Sequence, residues 1–147
     1  MFGVDKPQNV PDTRIAKLLD LLEIEYELEE CGDFKVTFAL ENGRTHIAMI
    51  RSQTYEFSDV EMRHIYSPAL HSFGAFDQRT ANLLLRANTQ AKIGGWSVAL
   101  DNEDNSIAIF VAAVSAELEP EQLAHVLSAV ATTADEMEER LTGRDDY

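Results

Sequence analysis

The chain has 147 residues, of which 45% are hydrophobic, and 26 acidic side chains against 12 Lys and Arg give it a formal net charge of −14. This length fits one domain with a proper core, and the negative charge argues against nucleic-acid binding because it repels phosphate backbones. No apolar run approaches the ~18 residues of a membrane-spanning helix, and no secretory signal is recognisable. We therefore expect one cytoplasmic domain over residues 1–147, flexible at about 1–9 and 144–147, with no membrane association.

The chain begins with a predicted helix and then changes to an alternating pattern. Helical spacing of Ile15, Leu18, Leu19 and Leu22 predicts a helix over residues 11–23, capped by Asp12 or Asn9. Residues 23–29 then alternate with a period of two, which predicts a strand with apolar side chains on one face and glutamates on the other.

Two hairpins are predicted next. A three-residue loop at 31–33 would set Leu28 opposite Val36 and Glu29 opposite Lys35. The dipeptide Asn42-Gly43 is typical of a type I′ turn. That turn would set Phe38 opposite Ile47 and Val36 opposite Met49, in a third strand over about residues 44–53.

The segment from residue 54 to residue 76 is open between two interpretations. Alternation of Val60, Met62, His64 and Tyr66 favours a fourth strand, whereas Ser58 could cap a short helix over part of residues 57–67. Pro68 ends either version, and we expect a loop from there to residue 74.

Asp77 is a predicted N-cap for a second helix that runs to about residue 91. Its consecutive leucines at 83, 84 and 85 span about 200° of the helix circumference at ~100° per residue. One sheet needs a stripe of only ~100° or more. Leu83 and Leu85, at the two edges of this arc, are therefore the candidate residues of a partner-binding or dimer face.

A third hairpin follows the second helix. A four-residue turn at 102–105 would set Leu100 opposite Ile107 and Trp96 opposite Val111. Apolar residues occupy both faces of the strand at 107–112, which predicts a central strand or one buried at an interface. Trp96 is expected in the core, with a ligand platform as the alternative.

A long amphipathic helix closes the chain, from about residue 119 to Gly143. Its apolar stripe consists of Leu123, Val126, Leu127, Val130, Ala134, Met137 and Leu141. The acidic residues at 135, 136, 138 and 139 are assigned to its outer face. A coiled coil is one interpretation of the stripe, but with under three heptads a helix packed on a sheet is favoured. The predicted fold is α+β, a mainly antiparallel sheet with helices packed on it, in the order α-β-β-β-(β)-α-β-β-α.

Catalytic and metal-binding signatures are not recognisable in the sequence. No glycine pattern matches a phosphate loop, and the four histidines form no HxxxH pair. A metal site from His64 and His71 would need distant ligands. Cys31 lies in a predicted turn beside acidic residues, which is an unfavourable setting for a nucleophile. We expect no catalytic residue, no cofactor and no metal.

Four stretches resemble the YbjN-like family of bacterial proteins, which are regarded as sensory transduction regulators. They are EYELEECGDFKVTF, FDQRTANLLLRANTQAKIGGWSV, NSIAIFVAAV and LEPEQLAHVLSAVATTADEMEERLTGRDDY. The resemblance covers the chain from about residue 12, and its motifs position elements of the fold rather than catalytic groups. It implies a fold similar to type III secretion chaperones, which are often dimeric and bind segments of partner proteins without ATP.

These observations favour a non-catalytic, chaperone-like protein-binding or regulatory module in bacterial signal transduction or stress response. We expect a homodimer with an unidentified protein partner. The main alternative is a small-ligand sensor with a pocket between sheet and helices, and an enzyme without a recognisable signature is the third hypothesis.

Overall fold

The computed structural model describes residues 10–147, which form three α-helices and seven strands. The helices are α1 (Thr13–Leu21), α2 (Gln78–Ala87) and α3 (Pro120–Thr142). The strands are β1 (Glu27–Leu28), β2 (Phe34–Ala39), β3 (Thr45–Ile50), β4 (Tyr55–Phe57), β5 (Val60–Ser72), β6 (Gly95–Leu100) and β7 (Ser106–Ser115). A short 3-10 turn at Asn88–Gln90 follows α2.

All strand pairs are antiparallel. The strands lie in the order β1-β2-β3-β5-β7-β6, and β4 pairs with β5 outside this path. The predicted α+β class with a mainly antiparallel sheet is therefore confirmed. The last strand, β7, lies between β5 and β6, as its two apolar faces predicted. At the opposite ends of the sheet, β1 and β6 are the edge strands.

A single hydrophobic core lies on one face of this sheet, which we call the inner face. It combines side chains from the strands, such as Ile65 and Phe110, with side chains from the helices, such as Ile15, Leu84 and Leu127. All three helices thus contribute to the same core, and the other face of the sheet is called the outer face.

The closing helix α3 has the predicted start and end. Glu119 is its N-cap in a capping box with Gln122, Pro120 is its first residue, and Gly143 ends it at φ 66°. The helix packs against β3, β5 and β7, so it lies on the sheet rather than forming a coiled-coil arm.

The buried face of α3 is rotated from the predicted stripe near its C-terminus. Leu123, Leu127 and Val130 are buried as expected, but so are Asp135 and Glu138, which had been assigned to the acidic outer face. The two carboxylates can be buried because Arg44, in the loop between β2 and β3, donates hydrogen bonds to both of them. The predicted cap of α2 is confirmed, since Asp77 accepts a hydrogen bond from the backbone N–H of Thr80.

The predicted registers of the three hairpins are wrong by two residues in the first and by one residue in the second and third. In the first, Leu28 lies opposite Phe34 and Glu27 opposite Lys35. The backbone N–H of Glu29 donates to Asp33 O, so the loop spans residues 30–32. The expected cross-strand attraction remains, because Lys35 Nζ lies 2.8 Å from Glu27 and 3.4 Å from Glu29.

The second hairpin is closed by three residues instead of the predicted two. The N–H of Leu40 donates to Arg44 O, and Gly43 adopts φ 78° within the loop. Phe38 therefore lies opposite His46, and Val36 opposite Ala48. This one-residue shift moves every side chain of β3 to the other face. His46 and Ala48 are on the inner face, and Ile47 and Met49 on the outer face.

The third hairpin shows the same one-residue shift. Trp96 lies opposite Phe110 and Leu100 opposite Ser106, because Asp101 and Asn105 close a loop that places Asp104 at φ 59°. The prediction that paired Trp96 with Val111 is wrong for this reason.

The uncertain segment forms a strand, but a longer one than predicted. A tight turn at Ser58-Asp59, both at positive φ, joins β4 to β5. The strand continues through Pro68 to Ser72, with an irregular register between Pro68 and Leu70. Proline is tolerated in a strand at such a bulge, so the predicted end at Pro68 and the loop to residue 74 are wrong.

Candidate functional site

The consecutive leucines of α2 occupy three different environments. Leu84 is buried, and Leu83 is half-buried against the core. Leu85 is 64% exposed, so it is the leucine of the predicted pair that is available to a partner. The excess of leucine in the sequence thus corresponds to one apolar side chain on the surface of α2.

The edge strand β6 carries a second set of exposed apolar side chains. Its inner-face residues are Trp96, Val98 and Leu100, of which Trp96 is buried while Val98 is 50% and Leu100 is 65% exposed. The strand sequence, GWSVAL, contains neither a charged residue nor a proline. Charged residues and prolines usually protect the edge of a sheet against pairing with another chain, and β6 has neither.

An open groove of about 710 Å³ lies beside β6, between the end of α2 and the exposed side of α3. Trp96, Phe110 and Met137 contribute its apolar lining, and the rings of Trp96 and Phe110 meet edge to face at 5.4 Å. Trp96 is therefore both part of the core and part of the groove wall. The sequence predicted Trp96 either as a core residue or as a platform for a ligand, and the position of its ring is compatible with both.

The polar side chains of this groove differ in charge from the rest of the protein. Lys92, Arg140 and His125 line it together with a single carboxylate, Glu136. Over the whole chain the acidic groups outnumber the basic ones by more than two to one. A negatively charged group in the groove would consequently meet local cations, despite the acidity of the whole chain.

The outer face of the sheet is apolar at its centre. Ile107, Ile109 and Val111 point there from β7, and Met49 and Tyr66 lie opposite each other on the neighbouring strands. Among the described residues, the side chains that form the hydrophobic core do not include the three from β7. An antiparallel sheet with one solvated face normally places polar residues on that face.

A buried polar cluster joins β3 to α3 on the inner face. His46, Asp135 and Glu138 are 0%, 2% and 0% exposed. His46 Nδ1 lies 3.6 Å from Asp135 Oδ1 and 3.8 Å from Glu138 Oε1. From the loop before β3, Arg44 Nε donates to Asp135 Oδ1 at 2.8 Å, and Arg44 Nη2 to Glu138 Oε1 at 3.2 Å.

The hydrogen bonds of His46 determine which ring nitrogen carries a proton. Its Nε2 lies 2.7 Å from the carbonyl oxygen of Pro68, which can only accept, so Nε2 carries the hydrogen. Burial lowers the pKa of His46, which favours the neutral ring with its lone pair on Nδ1. Within residues 10–147, Nδ1 is a buried side-chain atom with no hydrogen-bond partner. Burial also raises the pKa of Glu138.

The C-terminal residues lie over this cluster. Arg144 O accepts a hydrogen bond from Arg44 Nη2, and the N–H of Asp146 donates to Glu138 Oε2. The ring of Tyr147 lies 6.0 Å from that of His46. These contacts place residues 144–147 against the β2–β3 loop and the end of α3, although whether this segment is flexible stays a prediction.

The other candidate groups from the sequence do not come together. His64 contacts Tyr55 through its Nε2, whereas His71 lies 3.6 Å from Asp101 near the opposite end of β5. Cys31 is an exposed free cysteine in the first loop. Among the described residues, the group whose ligand atoms could together hold a metal ion is His46, Asp135 and Glu138, with those atoms within 4.8 Å of one another.

Comparison with known proteins adds no relative. No protein-family model matches the chain, and no curated protein matches it. Among the described residues, none of the helices has both the length and the apolar character that crossing a membrane requires.

Proposed function

We propose that this chain is a non-catalytic protein-binding or regulatory module that acts as a homodimer, in the manner of type III secretion chaperones. We further propose membership of the YbjN-like family and a role in signal transduction or stress response in the bacterial cytoplasm. The observation that carries the proposal is the edge of the sheet at β6. The side chain of Asn88 bonds the backbone of Trp96 there, and the rest of the edge, beside exposed Val98 and Leu100, has neither a charged residue nor a proline.

A second copy of the chain is the partner that best fits this edge. Two copies of β6 can pair antiparallel about a twofold axis, so that the same residues meet from both sides. At a net charge of −14 two copies repel each other, and a contact between them needs a surface without acidic groups. The six residues of β6 provide such a surface, and exposed Leu85 of α2 adds to the apolar area.

Light scattering on a size-exclusion column tests the dimer. We expect twice the chain mass for the wild type and a single chain mass for Val98→Lys, because the substitution places a charge in the paired edge. Leu21→Lys is the control, since Leu21 is even more exposed than Val98, at 70% against 50%, but lies on α1, and this variant should remain dimeric. A monomeric wild type, or a dimeric Val98→Lys, would contradict the proposal.

A small-ligand sensor is the second candidate function, and the groove beside Trp96 favours it. Its volume of about 710 Å³ falls in the range of known ligand sites, ~300–1,000 Å³. Lys92 and Arg140 would favour an apolar molecule with a negatively charged group.

Thermal stabilisation and tryptophan fluorescence with a panel of apolar carboxylates test this second function. A ligand should raise the melting temperature and change the emission of Trp96, the single tryptophan of the chain. Ser128→Trp would obstruct the groove from α3 and should abolish the thermal shift. No shift with any carboxylate, or an unchanged shift in Ser128→Trp, would count against the sensor.

A further inference from the structure

We propose that His46, Asp135 and Glu138 form a structural site for a divalent first-row transition metal ion of the Zn²⁺ class. The ligands would be Nδ1 of His46 and one oxygen of each carboxylate. The proposal departs from the sequence-based expectation that the chain binds no metal, and it does not depend on the proposed dimer or partner.

The ligand atoms already have nearly the spacing that a tetrahedral ion requires. His46 Nδ1 is 3.6 Å from Asp135 Oδ1 and 3.8 Å from Glu138 Oε1. Ligands at ~2.0–2.1 Å from a tetrahedral Zn²⁺ are about 3.4 Å apart. A contraction of a few tenths of an ångström would bring His46 Nδ1 to this spacing from each carboxylate, and the two carboxylate oxygens already lie within 4.8 Å of each other.

Each proposed ligand is oriented by a second hydrogen bond, as is typical of metal sites. His46 Nε2 donates to Pro68 O at 2.7 Å, which leaves the lone pair of Nδ1 directed at the carboxylates. Glu138 Oε2 accepts from the N–H of Asp146 at 3.1 Å. Asp135 Oδ2 has a longer contact of 3.4 Å with Asn42 Nδ2. The three side chains are thus held in place, and His46 Nδ1 is a buried acceptor that has no hydrogen-bond partner among the described residues.

The charges around the site leave a deficit that a divalent ion would remove. Buried Asp135 and Glu138 and the partly exposed Asp145 lie within 4.0 Å of the Arg44 guanidinium, so three carboxyl groups share one positive group. Arg144 does not change this balance, because it pairs with Asp146 at 3.1 Å. Buried charges are normally paired or coordinate metals.

Arg44 is the group that would compete with the ion. Its Nε and Nη2 donate to the same two oxygens, Asp135 Oδ1 and Glu138 Oε1, that face His46 Nδ1. A carboxylate oxygen can accept from a guanidinium and bind a metal through its other lone pair, but the two cations repel each other. Removal of Arg44 should accordingly strengthen metal binding, whereas removal of a ligand should weaken it.

The chemical types of the three ligands indicate which metal ions the site would bind, and the burial of the site indicates a structural function. One imidazole with two carboxylates suits borderline ions such as Zn²⁺ rather than Mg²⁺ or Ca²⁺, which prefer oxygen ligands alone. The full burial of His46 and Glu138 leaves no room for a substrate. The ion would instead fasten β3 to the C-terminal half of α3 and contribute to folding stability.

The test uses the full chain, purified without a histidine tag, loaded with Zn²⁺ and desalted. We expect one Zn²⁺ per chain by elemental analysis. At a free Zn²⁺ concentration one hundred times the dissociation constant, the melting temperature should rise by about 5–10 °C. Mg²⁺ should have no such effect, and Co²⁺ should bind with the same stoichiometry of one ion per chain.

Variants separate the proposed site from surface binding. His46→Gln and Glu138→Gln should each lower the affinity for Zn²⁺ at least ~100-fold, and Glu138→Gln remains informative if His46→Gln fails to fold. Arg44→Gln should raise the affinity. His71→Gln is the matched control, since His71 faces Asp101 at the same 3.6 Å but on the surface, and its affinity should be unchanged.

Several results would overturn the proposal. Wild-type protein that retains no stoichiometric Zn²⁺ would do so, as would a folded Glu138→Gln variant that binds as tightly as the wild type. A melting temperature that changes with pH but not with Zn²⁺ would show that protons alone balance the buried charge, which also excludes the metal site.

Discussion

Asp12→Ala should destabilise the protein far more than the loss of an ordinary helix cap. Asp12 Oδ1 accepts from the backbone N–H of Arg14 and so caps α1. Its Oδ2 also accepts from Arg63 Nη2 at 2.6 Å. The side chain of Arg63 is only 4% exposed, and its Nη1 donates to the carbonyl oxygens of Arg51 and Ser52. The substitution therefore removes a cap and also leaves a buried guanidinium without its counter-ion.

Both effects contribute to the expected magnitude. Loss of an N-cap acceptor costs about 1 kcal/mol. Removal of one partner from a buried ion pair costs ~3–5 kcal/mol. The second figure is an upper limit here, because Asp12 is itself 14% exposed and Arg63 keeps its two carbonyl acceptors. We expect a total of about 3 kcal/mol for Asp12→Ala, and about 2 kcal/mol for Asp12→Asn, which retains a cap oxygen but no charge.

Urea unfolding followed by circular dichroism measures these differences as shifts of the midpoint at constant slope. Asp77→Ala is the matched control, since Asp77 caps α2 in the same way through Thr80 but faces no buried arginine. That variant should lose only about 1 kcal/mol. If Asp12→Ala loses no more than Asp77→Ala, the buried ion pair contributes nothing to stability and the reasoning is refuted.

Three further substitutions test other parts of the fold. Val130→Asp should reduce stability by more than ~3 kcal/mol in the same urea assay, because it places an unpaired charge at a fully buried position of α3; near-wild-type unfolding would mean that the stripe is not core. Gly94→Ala should lose at least ~2 kcal/mol more than Gly43→Ala, since both have positive φ but only at Gly94 would a Cβ collide with the backbone of Val111; equal losses would contradict this. Hydrogen bonds from a neighbouring arginine and threonine lower the pKa of Glu61 to about 2. The resulting stability is present above the unfolded pKa of ~4.5 and lost as the pH falls toward ~2, so Glu61→Gln should flatten this part of a pH-dependent melting curve, and an unchanged slope would exclude the contribution.

The elements of this fold were predictable from the sequence because their signals are local. The caps Asp77 and Gly143, and the apolar stripe around Val130, each lie within a few residues of the structure that they specify. The alternating strands were recognised for the same reason. The end of β5 was not, because a bulge after Pro68 lets the strand continue where proline usually ends one.

The registers were not predictable, because the two faces of β3 and of β7 hardly differ in polarity. On β3, Ile47 and Met49 are no less suited to a core than Ala48 and Ile50, which in fact face it. Hydrophobic pattern alone therefore does not choose between a two-residue and a three-residue loop at Asn42-Gly43.

Because of this one-residue error in loop length, the predicted fold did not include the buried polar cluster. With the predicted register, His46 would face away from the helices. The carboxylates of α3 were separately assigned to the outer face of that helix. With the observed register, His46 faces Asp135 and Glu138. A sequence signal did exist, since Asp135 and Glu138 are three residues apart and on the same side of α3 as buried Ala134 and Ala131.

The proposed assembly of two copies would account for both the apolar outer face and the uncharged β6 edge. Ile107, Ile109 and Val111 are half-buried and lie outside the core of the single chain, so their further burial would be favourable. A chain of net charge −14 can approach a second copy only through surfaces that lack carboxylates. The β6 edge and the centre of the outer face meet that condition, and the repulsion between the remaining charges is screened by salt. Added salt should therefore strengthen a contact between copies at these surfaces, whereas it would weaken binding of a basic partner elsewhere.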